Sequence, residues 1–531
     1  MSGIARRSAL GLIGLGAAAG ITAGVAESAP AVRTRAVARA VPRQRPEPAE
    51  PIGPGGPQSG TGAGVGDRLV VNRTASENAL PGTDGWVPRQ GALRVTDRHR
   101  QIQGYASRTS VNVGESIAFH VSVPSRERYV VEVIRLGDYG GKGGRRLRRS
   151  EELPGFRRPI PVATPTGTLR CDWPVSWVLD VPRSWTSGTY LARFRTRSGW
   201  HSYHPFIVRD DQRRAEFCVV LPTTTWQAYN QWPRDLHRGK SLYHGYDKHG
   251  RLAVDLRARK VSFDRPYHEQ GLPSRFDNDR HAIAFLERSG YDVTYAASHD
   301  LHNGTVDPRQ YRGLVFLGHD EYWSAEMRRR ATKALDEGVS LAYLTANNVY
   351  WNVRFEASPD GIPDRTLTCY KNSPDPHAAA GGIGTNQWRL GRFRGPKRPE
   401  QELLGVMYNG IVLAPRPLIV RNSDHWFWAD TGVRDGDAVP HVVGGEADGL
   451  HRAAARPLDG EHTLLSHSRY RSRADRSIRV QNTSLRELSH GGIVFVAATL
   501  SWPAALARSG LRDARIQRAT RNVLDRMRRP G

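Results

Sequence analysis

The run Phe217-Cys218-Val219-Val220-Leu221 is uninterruptedly apolar and too short for a buried helix, so it reads as a strand covered on both faces. A strand of this kind needs a sheet with packing on either side. The residues that follow supply it. Asp277 to Gly290 places Ile283, Phe285 and Leu286 at helical spacing, with Asp277 or Asp279 as an N-cap and Gly290 as the stop. Tyr291 to Tyr295 reads as a second strand, Gly313 to Leu317 as a third, Ser324 to Glu337 as a second helix closed by Gly338, and Val339 to Leu344 as a fourth strand. This alternation predicts an α/β domain over residues 212–531, a flavodoxin- or glutamine-amidotransferase-like parallel sheet with helices on both faces.

Residues 67–211 carry a different period. Ile117, Phe119, Val121 and Val123 alternate with polar neighbours, as do Val175, Trp177 and Leu179, then Tyr190, Ala192, Phe194 and Thr196, and finally Phe206 and Val208. Gly and Pro punctuate the gaps, and no helical stretch interrupts them. The pattern predicts an all-β immunoglobulin-like sandwich whose work is packing or orientation.

The chain opens with Arg6-Arg7, a Gly/Ala/Leu/Ile stretch to Val25, and small residues around Ala29-Pro30-Ala31. Residues 1–31 therefore read as an export signal of twin-arginine type, with a plain secretory signal as the alternative. Residues 32–66 are Pro, Gly, Ala and Arg with almost nothing to bury, which predicts a disordered linker. The signal places the mature protein outside the cytoplasm, and since no later apolar run is long enough to span a bilayer it is expected to be soluble or held at the cell surface.

The balance of 77 Lys+Arg against 52 Asp+Glu gives a net charge of +25, but the arginines are spread along the chain and mark no recognition helix or single stripe. Contact with an anionic cell wall suits this distribution better than nucleic-acid binding, which is not expected. The three cysteines, Cys171, Cys218 and Cys369, lack zinc-ligand spacing and allow at most one disulfide.

In an open sheet the chemistry collects beyond the carboxyl ends of the strands. Three such segments are rich in polar and aromatic groups: Thr223 to Trp232 leading into Ser241-Leu242-Tyr243-His244-Gly245-Tyr246, then Gly318-His319-Asp320-Glu321-Tyr322-Trp323, and Thr345-Ala346-Asn347-Asn348-Val349-Tyr350-Trp351. His319 and Glu321 stand two apart. The bland account of this turn is that Asp320, Glu321 and Ser324 cap the next helix. No cysteine lies at the turn, no Gly-x-Ser-x-Gly elbow occurs, and no glycine-rich phosphate loop appears, so thiol, serine-hydrolase and nucleotide chemistry lack support.

The stretch from about Phe217 onward, with Ala228-Tyr229-Asn230, Ser241-Leu242-Tyr243, Val261-Ser262-Phe263-Asp264-Arg265-Pro266-Tyr267, Gly318 to Trp323 and Asn347 to Trp351, resembles the catalytic domain of the large (beta) subunit of N,N-dimethylformamidase. The resemblance implies an amidohydrolase with a mononuclear iron, Fe3+, held by two tyrosinates and one glutamate. By motif these are Tyr229, Tyr243 and Glu321, with Tyr246 close enough to compete with Tyr243. His319 then matches the neighbouring histidine that moves protons, and Asn347 the substrate-side asparagine. Hard anionic oxygen donors favour iron, and the expected reaction is hydrolysis of a small linear amide. Two other readings remain open: a non-catalytic cell-wall or carbohydrate-binding protein on the same fold, with Trp426 and Trp428 stacking on sugars, and a zinc hydrolase using His319 and Glu321. The sequence carries no sign of oligomeric state.

Overall fold

The computed structural model describes residues 72–87, 93–457 and 459–529. The expected export signal, residues 1–31, and the expected linker, residues 32–66, lie outside these residues. Residues 69–531 pack as one unit.

The apolar run beginning at Phe217 is a strand, Phe217–Leu221, second in a seven-stranded sheet. Its neighbours, in spatial order, are Val293–Ala297 on one side and Gly313–Phe316, Ser340–Tyr343, Ile493–Val496, Ser484–Glu487 and Glu461–Leu464 on the other. The first five positions pair in parallel, and the last two strands join antiparallel. Alternate residues enter different cores: Phe217, Val219 and Leu221 pack on one face, Cys218 and Val220 on the other. Each fully buried large side chain contributes about 1.5–3 kcal/mol, which is why a run without polar interruption is held between two layers.

This architecture overturns the expected flavodoxin- or glutamine-amidotransferase-like class. The chain is mostly β: among the described residues only three α-helices exceed six residues, Phe276–Arg288, Ala325–Asp336 and Ala514–Arg528. The central sheet is mixed. Between its fourth and fifth parallel strands, where a doubly wound domain carries a crossover helix, the chain lays down two strands of a separate four-stranded sheet, Trp351–Glu356 and Thr366–Thr368, and small antiparallel pairs such as Met407–Ile411 with Glu446–Gly449, Arg416–Ile419 with Ala438–Val443, and Ser468–Arg471 with Ile478–Gln481. The strand–helix alternation is confined to residues 217–343, and the polar, short-period segments after Trp351 satisfy their backbones in local hairpins instead.

The expected immunoglobulin-like sandwich is corrected as well. Two sheets share a core that includes Phe119, Val131, Phe194 and Phe206. One, however, contains a parallel pair, Ser110–Asn112 with His201–Arg209, and a helix, Arg73–Asn78, stands ahead of them. That helix contributes Asn78 to a buried network on the other side of the 211/212 boundary: Asn78 Nδ2 donates to Glu287 Oε2 at 2.7 Å, beside a bidentate Arg135–Glu287 pair at 2.9 Å and 2.9 Å.

Two local differences bear on the site. The Phe276–Arg288 helix is not capped by Asp277 or Asp279; its N-cap is Arg275 in the left-handed region (φ 65°), and Asp279 turns inward to accept from Trp226 Nε1 at 3.1 Å. After Glu321 the chain forms a short strand, Tyr322–Ser324, parallel to Trp351–Glu356, before the next helix, whose N-cap Ser324 accepts from Met327 N.

Candidate functional site

Three chain segments meet at the carboxyl edge of the parallel strands, and the hydrogen bonds that hold them are mostly backbone. The strand Phe217–Leu221 runs into a wholly buried helix, Thr223–Ala228, whose C-cap is Tyr229. Thr225 Oγ1 accepts from the backbone N–H of Glu321 at 3.1 Å and of Tyr322 at 3.3 Å, which pins the 318–322 turn to that helix. Tyr350 N and Trp351 N both donate to Glu321 O at 2.9 Å, and Val349 N donates to Asp320 O at 3.0 Å, so the third segment is stitched to the second. Asn347 and Val349 are held at φ 56° and 56°. A β-branched residue in the left-handed region is strained, and such strain persists only where surrounding structure over-determines the backbone.

The side chains of Tyr229, Tyr243 and Glu321 converge. Tyr229 OH donates to Glu321 Oε2 at 2.7 Å and Tyr243 OH to Glu321 Oε1 at 2.5 Å, while the two phenol rings stack with centroids 4.6 Å apart. Trp351 Nε1 donates to Glu321 Oε1 at 2.9 Å. Tyr246 points elsewhere: its hydroxyl donates to Gln231 Oε1 at 2.6 Å. Burial first, and then the Glu321 charge, hold the Tyr229 and Tyr243 phenols well above their usual range, so both stay protonated donors to the carboxylate in this arrangement.

His319 lies beside this cluster. Its Nε2 is 3.1 Å from Glu446 Oε2 and 3.5 Å from Glu321 Oε2. Burial alone would depress the imidazole pKa, but the Glu446 carboxylate, and after it Glu321, lifts it above the ordinary histidine value. Asn347 Nδ2 donates to the same Glu446 oxygen at 2.7 Å, and Asn347 Oδ1 has no partner. Asn347 N donates to Asp448 Oδ1 at 2.8 Å, fixing the turn from which the side chain projects.

Sequence reading misses Glu446 and Lys371. Glu446 opens the strand Glu446–Gly449 after Gly444-Gly445, and that Gly-Gly-Glu-x-Asp step is the one signal that could have drawn notice. Lys371 follows a three-residue strand, Thr366–Thr368, with nothing in its neighbours to mark it. Its Nζ sits 3.1 Å from the centroid of the Tyr243 ring and 4.5 Å from that of Trp351, has no hydrogen-bond partner, and burial pushes its pKa down to about 7. Trp428, a candidate sugar-stacking residue, is core, at 2% exposure; Trp426 is half-buried, donating to Glu487 Oε2 at 3.1 Å. All three cysteines are buried and free. Among the described residues no group of three His, Cys, Asp or Glu side chains gathers as a metal cluster, so the converging donors are distinguished by their tyrosines.

Gly318 sets the turn. It lies at φ 67°, and a Cβ there would run into Asp279 Oδ1 and crowd Pro222. Gly318→Ala therefore combines a left-handed penalty of about 1–2 kcal/mol with overpacking of about 1–3 kcal/mol. A stability loss of about 2–5 kcal/mol by denaturant titration is the expected result; an unchanged midpoint would show that the turn is not fixed by this contact.

The family described as N,N-dimethylformamidase beta subunit-like, C-terminal, matches residues 130–516. This chain belongs to that family. The match begins within the strand Arg128–Leu136, so the family's extent includes most of the sheets that precede Phe217 as well as the site itself. Among curated proteins, the N,N-dimethylformamidase beta subunits of Paracoccus aminophilus and of an Alcaligenes species are each 24% identical over 419 residues, covering 67% of this chain and 54% of theirs. The chain thus spans about half the length of these relatives. Among solved structures, a Paenibacillus cycloisomaltooligosaccharide glucanotransferase aligns over 60% of this chain and 61% of its own at 8% identity and a TM-score of 0.15, a likeness too low to bear on fold or function.

Proposed function

We propose that this protein is a metal-dependent hydrolase of a small linear amide, acting outside the cytoplasm after export through its N-terminal signal. The observation that carries the reading is the meeting of two phenol oxygens on the two oxygens of one buried carboxylate, with a His–Glu pair beside it. The relatives named as dimethylformamidase subunits support the same reaction class.

The donor set fits a hard cation. Tyr229, Tyr243 and Glu321 would hold it through their oxygens once the two phenols release their protons. Three anionic oxygens match Fe3+ by charge and hardness. Bound there, iron supplies a Lewis acid for an amide carbonyl. The chain's own residues do the rest. An ammonium on Lys371, over the Tyr243 ring, favours the phenolate form of that tyrosine. His319, made more basic by Glu446, is placed to pass a proton to the leaving nitrogen, and Glu446 stabilises the charge on the imidazole as it cycles. Asn347, tethered through Nδ2, presents the free Oδ1 to an N–H of substrate or product.

Metal analysis and an absorption spectrum of the purified protein, together with a screen of small amides, test the proposal. Stoichiometric iron with a visible tyrosinate band and turnover of an amide are the expected results. Zinc in place of iron would replace the metal assignment, and a metal-free protein inert towards every amide would overturn the reading.

A further inference from the structure

Three arginines line one groove that no carboxylate enters. The groove, about 340 Å3, lies on the antiparallel pair Ser468–Arg471 with Ile478–Gln481, and its walls include Arg416, Arg469, Arg471, Leu413, Tyr470 and Ile478. It shares no residue with the tyrosine cluster. Arg469 and Arg471 are two apart on one strand, so both side chains leave the same face, about 6.6 Å from each other. Ile478, directly opposite Arg471 in the register, is 47% exposed on that face. Leu413 N donates to Arg471 O at 2.9 Å and His467 N to Ile419 O at 2.9 Å, so the segment carrying Arg416 runs antiparallel alongside.

These cations are open to solvent and short of counter-charge. Arg416, Arg469 and Arg471 are all exposed. Among the described residues the first two make no ion pair and no side-chain hydrogen bond, and the Arg471 guanidinium reaches only a backbone carbonyl, Arg476 O at 3.4 Å. The turn that joins the two strands adds Arg473 and Arg476, also exposed and without a carboxylate partner. Its one acid, Asp475, is engaged by Arg479 at 2.7 Å. Five arginines against one aspartate between positions 469 and 479 therefore project a local excess of positive charge that no other side chain of the groove cancels. Water and salt screen each of these charges, so one small anion gains little from meeting them. A chain of linked anions that spans the row gains from every contact, and each neutralised phosphate releases a condensed counterion. The groove offers nothing for bases to stack on: Tyr470, its one aromatic wall, is 2% exposed and donates its hydroxyl to Asn409 O at 2.8 Å.

From this arrangement we propose that the groove docks an anionic polymer of the cell surface whose backbone is a polyol phosphodiester, its phosphates met by Arg416, Arg469 and Arg471 and its carbon segments laid against Leu413 and Ile478. Same-face arginines on a strand recur at about the reach of one polyol phosphate unit, which suits such a chain better than a compact anion. The occupant is met only outside the cytoplasm, so the proposal rests on the export proposed above; binding and amide hydrolysis are measured separately, and either can fail alone.

Fluorescence anisotropy of labelled poly(glycerol phosphate) titrated with the purified protein tests this. Binding is expected to weaken between about 50 and 200 mM salt, the logarithm of affinity falling by roughly 0.7 per phosphate contact for each unit in the logarithm of salt concentration. Arg416→Gln, Arg469→Gln and Arg471→Gln combined should weaken binding by about tenfold or more at the lower salt and make that slope shallower by about 2. Arg148→Gln, Arg149→Gln and Arg197→Gln combined remove three exposed arginines that lie outside the groove and make no ion pair. They change the net charge equally and should cost less than about threefold. Both triple variants should match the parent protein in circular dichroism, metal content and amide hydrolysis. A thymidine oligonucleotide of equal phosphate number is expected to bind no more tightly than the polyol polymer. No binding by the parent protein, equal losses in the two triple variants, or tighter binding of the oligonucleotide would each overturn the proposal.

Discussion

Glu321→Gln is expected to lose most of the bound metal and nearly all amide hydrolysis. The carboxylate accepts from Tyr229, Tyr243 and Trp351 at once, and a carboxamide keeps one acceptor oxygen while turning an N–H2 group towards these donors. It also removes one of three anionic charges around the proposed cation. His319→Ala is expected to behave differently, retaining iron and its tyrosinate band while the rate falls by about 10²–10⁴-fold, the scale of a lost proton-transfer group. Glu446→Gln should follow His319→Ala, with the basic limb of the kcat/KM profile moved to lower pH, because the imidazole loses the carboxylate that lifts its pKa. Metal content and hydrolysis measured together on the three variants decide the matter. Equal metal loss in Glu321→Gln and His319→Ala would make the histidine a ligand, and unchanged activity in all three would remove the hydrolase reading.

Glu287→Ala is expected to destabilise the protein by about 3–5 kcal/mol, the usual cost of leaving a buried charge without its partner. Arg135 and Glu287 have fully buried side chains, and the same carboxylate accepts from Tyr295 OH at 2.7 Å and Asn78 Nδ2 at 2.7 Å. Removing it orphans a guanidinium, a phenol and an amide together. The double replacement Arg135→Met with Glu287→Leu should recover much of the loss, since a buried pair is often matched by apolar residues of similar size. Denaturant titration provides the check: a shift below about 1 kcal/mol in the single variant would mean that water reaches the site and relieves the orphaned charge.

What could be read from the sequence follows the range over which each signal acts. Local signals translate well. The apolar run at Phe217–Leu221 is a doubly buried strand, Ser324 caps the helix that follows it, and period-two alternation around Phe119 and Phe206 marks strands of a shared core. Tyr229, Tyr243, Glu321, His319 and Asn347, the residues marked by the family resemblance, have side chains that lie together. Extrapolation failed where one segment's rhythm was extended to the whole region. The alternation before Tyr343 does not govern residues 351–487, whose short strands pair locally and leave the chain mostly β.

Buried strands, the start of the Ala325–Asp336 helix and the residue types available for chemistry are legible locally, because propensity, capping and hydrophobic period act over a few residues. Long-range packing alone brings Tyr243 rather than Tyr246 to Glu321, sets Glu446 against His319 from 127 positions away in sequence (446 − 319), and lays Lys371 on the Tyr243 ring. Asp279, a helix cap by its sequence position, is instead drawn inward by the Trp226 N–H. These outcomes depend on which distant segments share one buried volume, where a polar group must find its partner across the fold or bear the cost of having none, and no local pattern encodes that pairing.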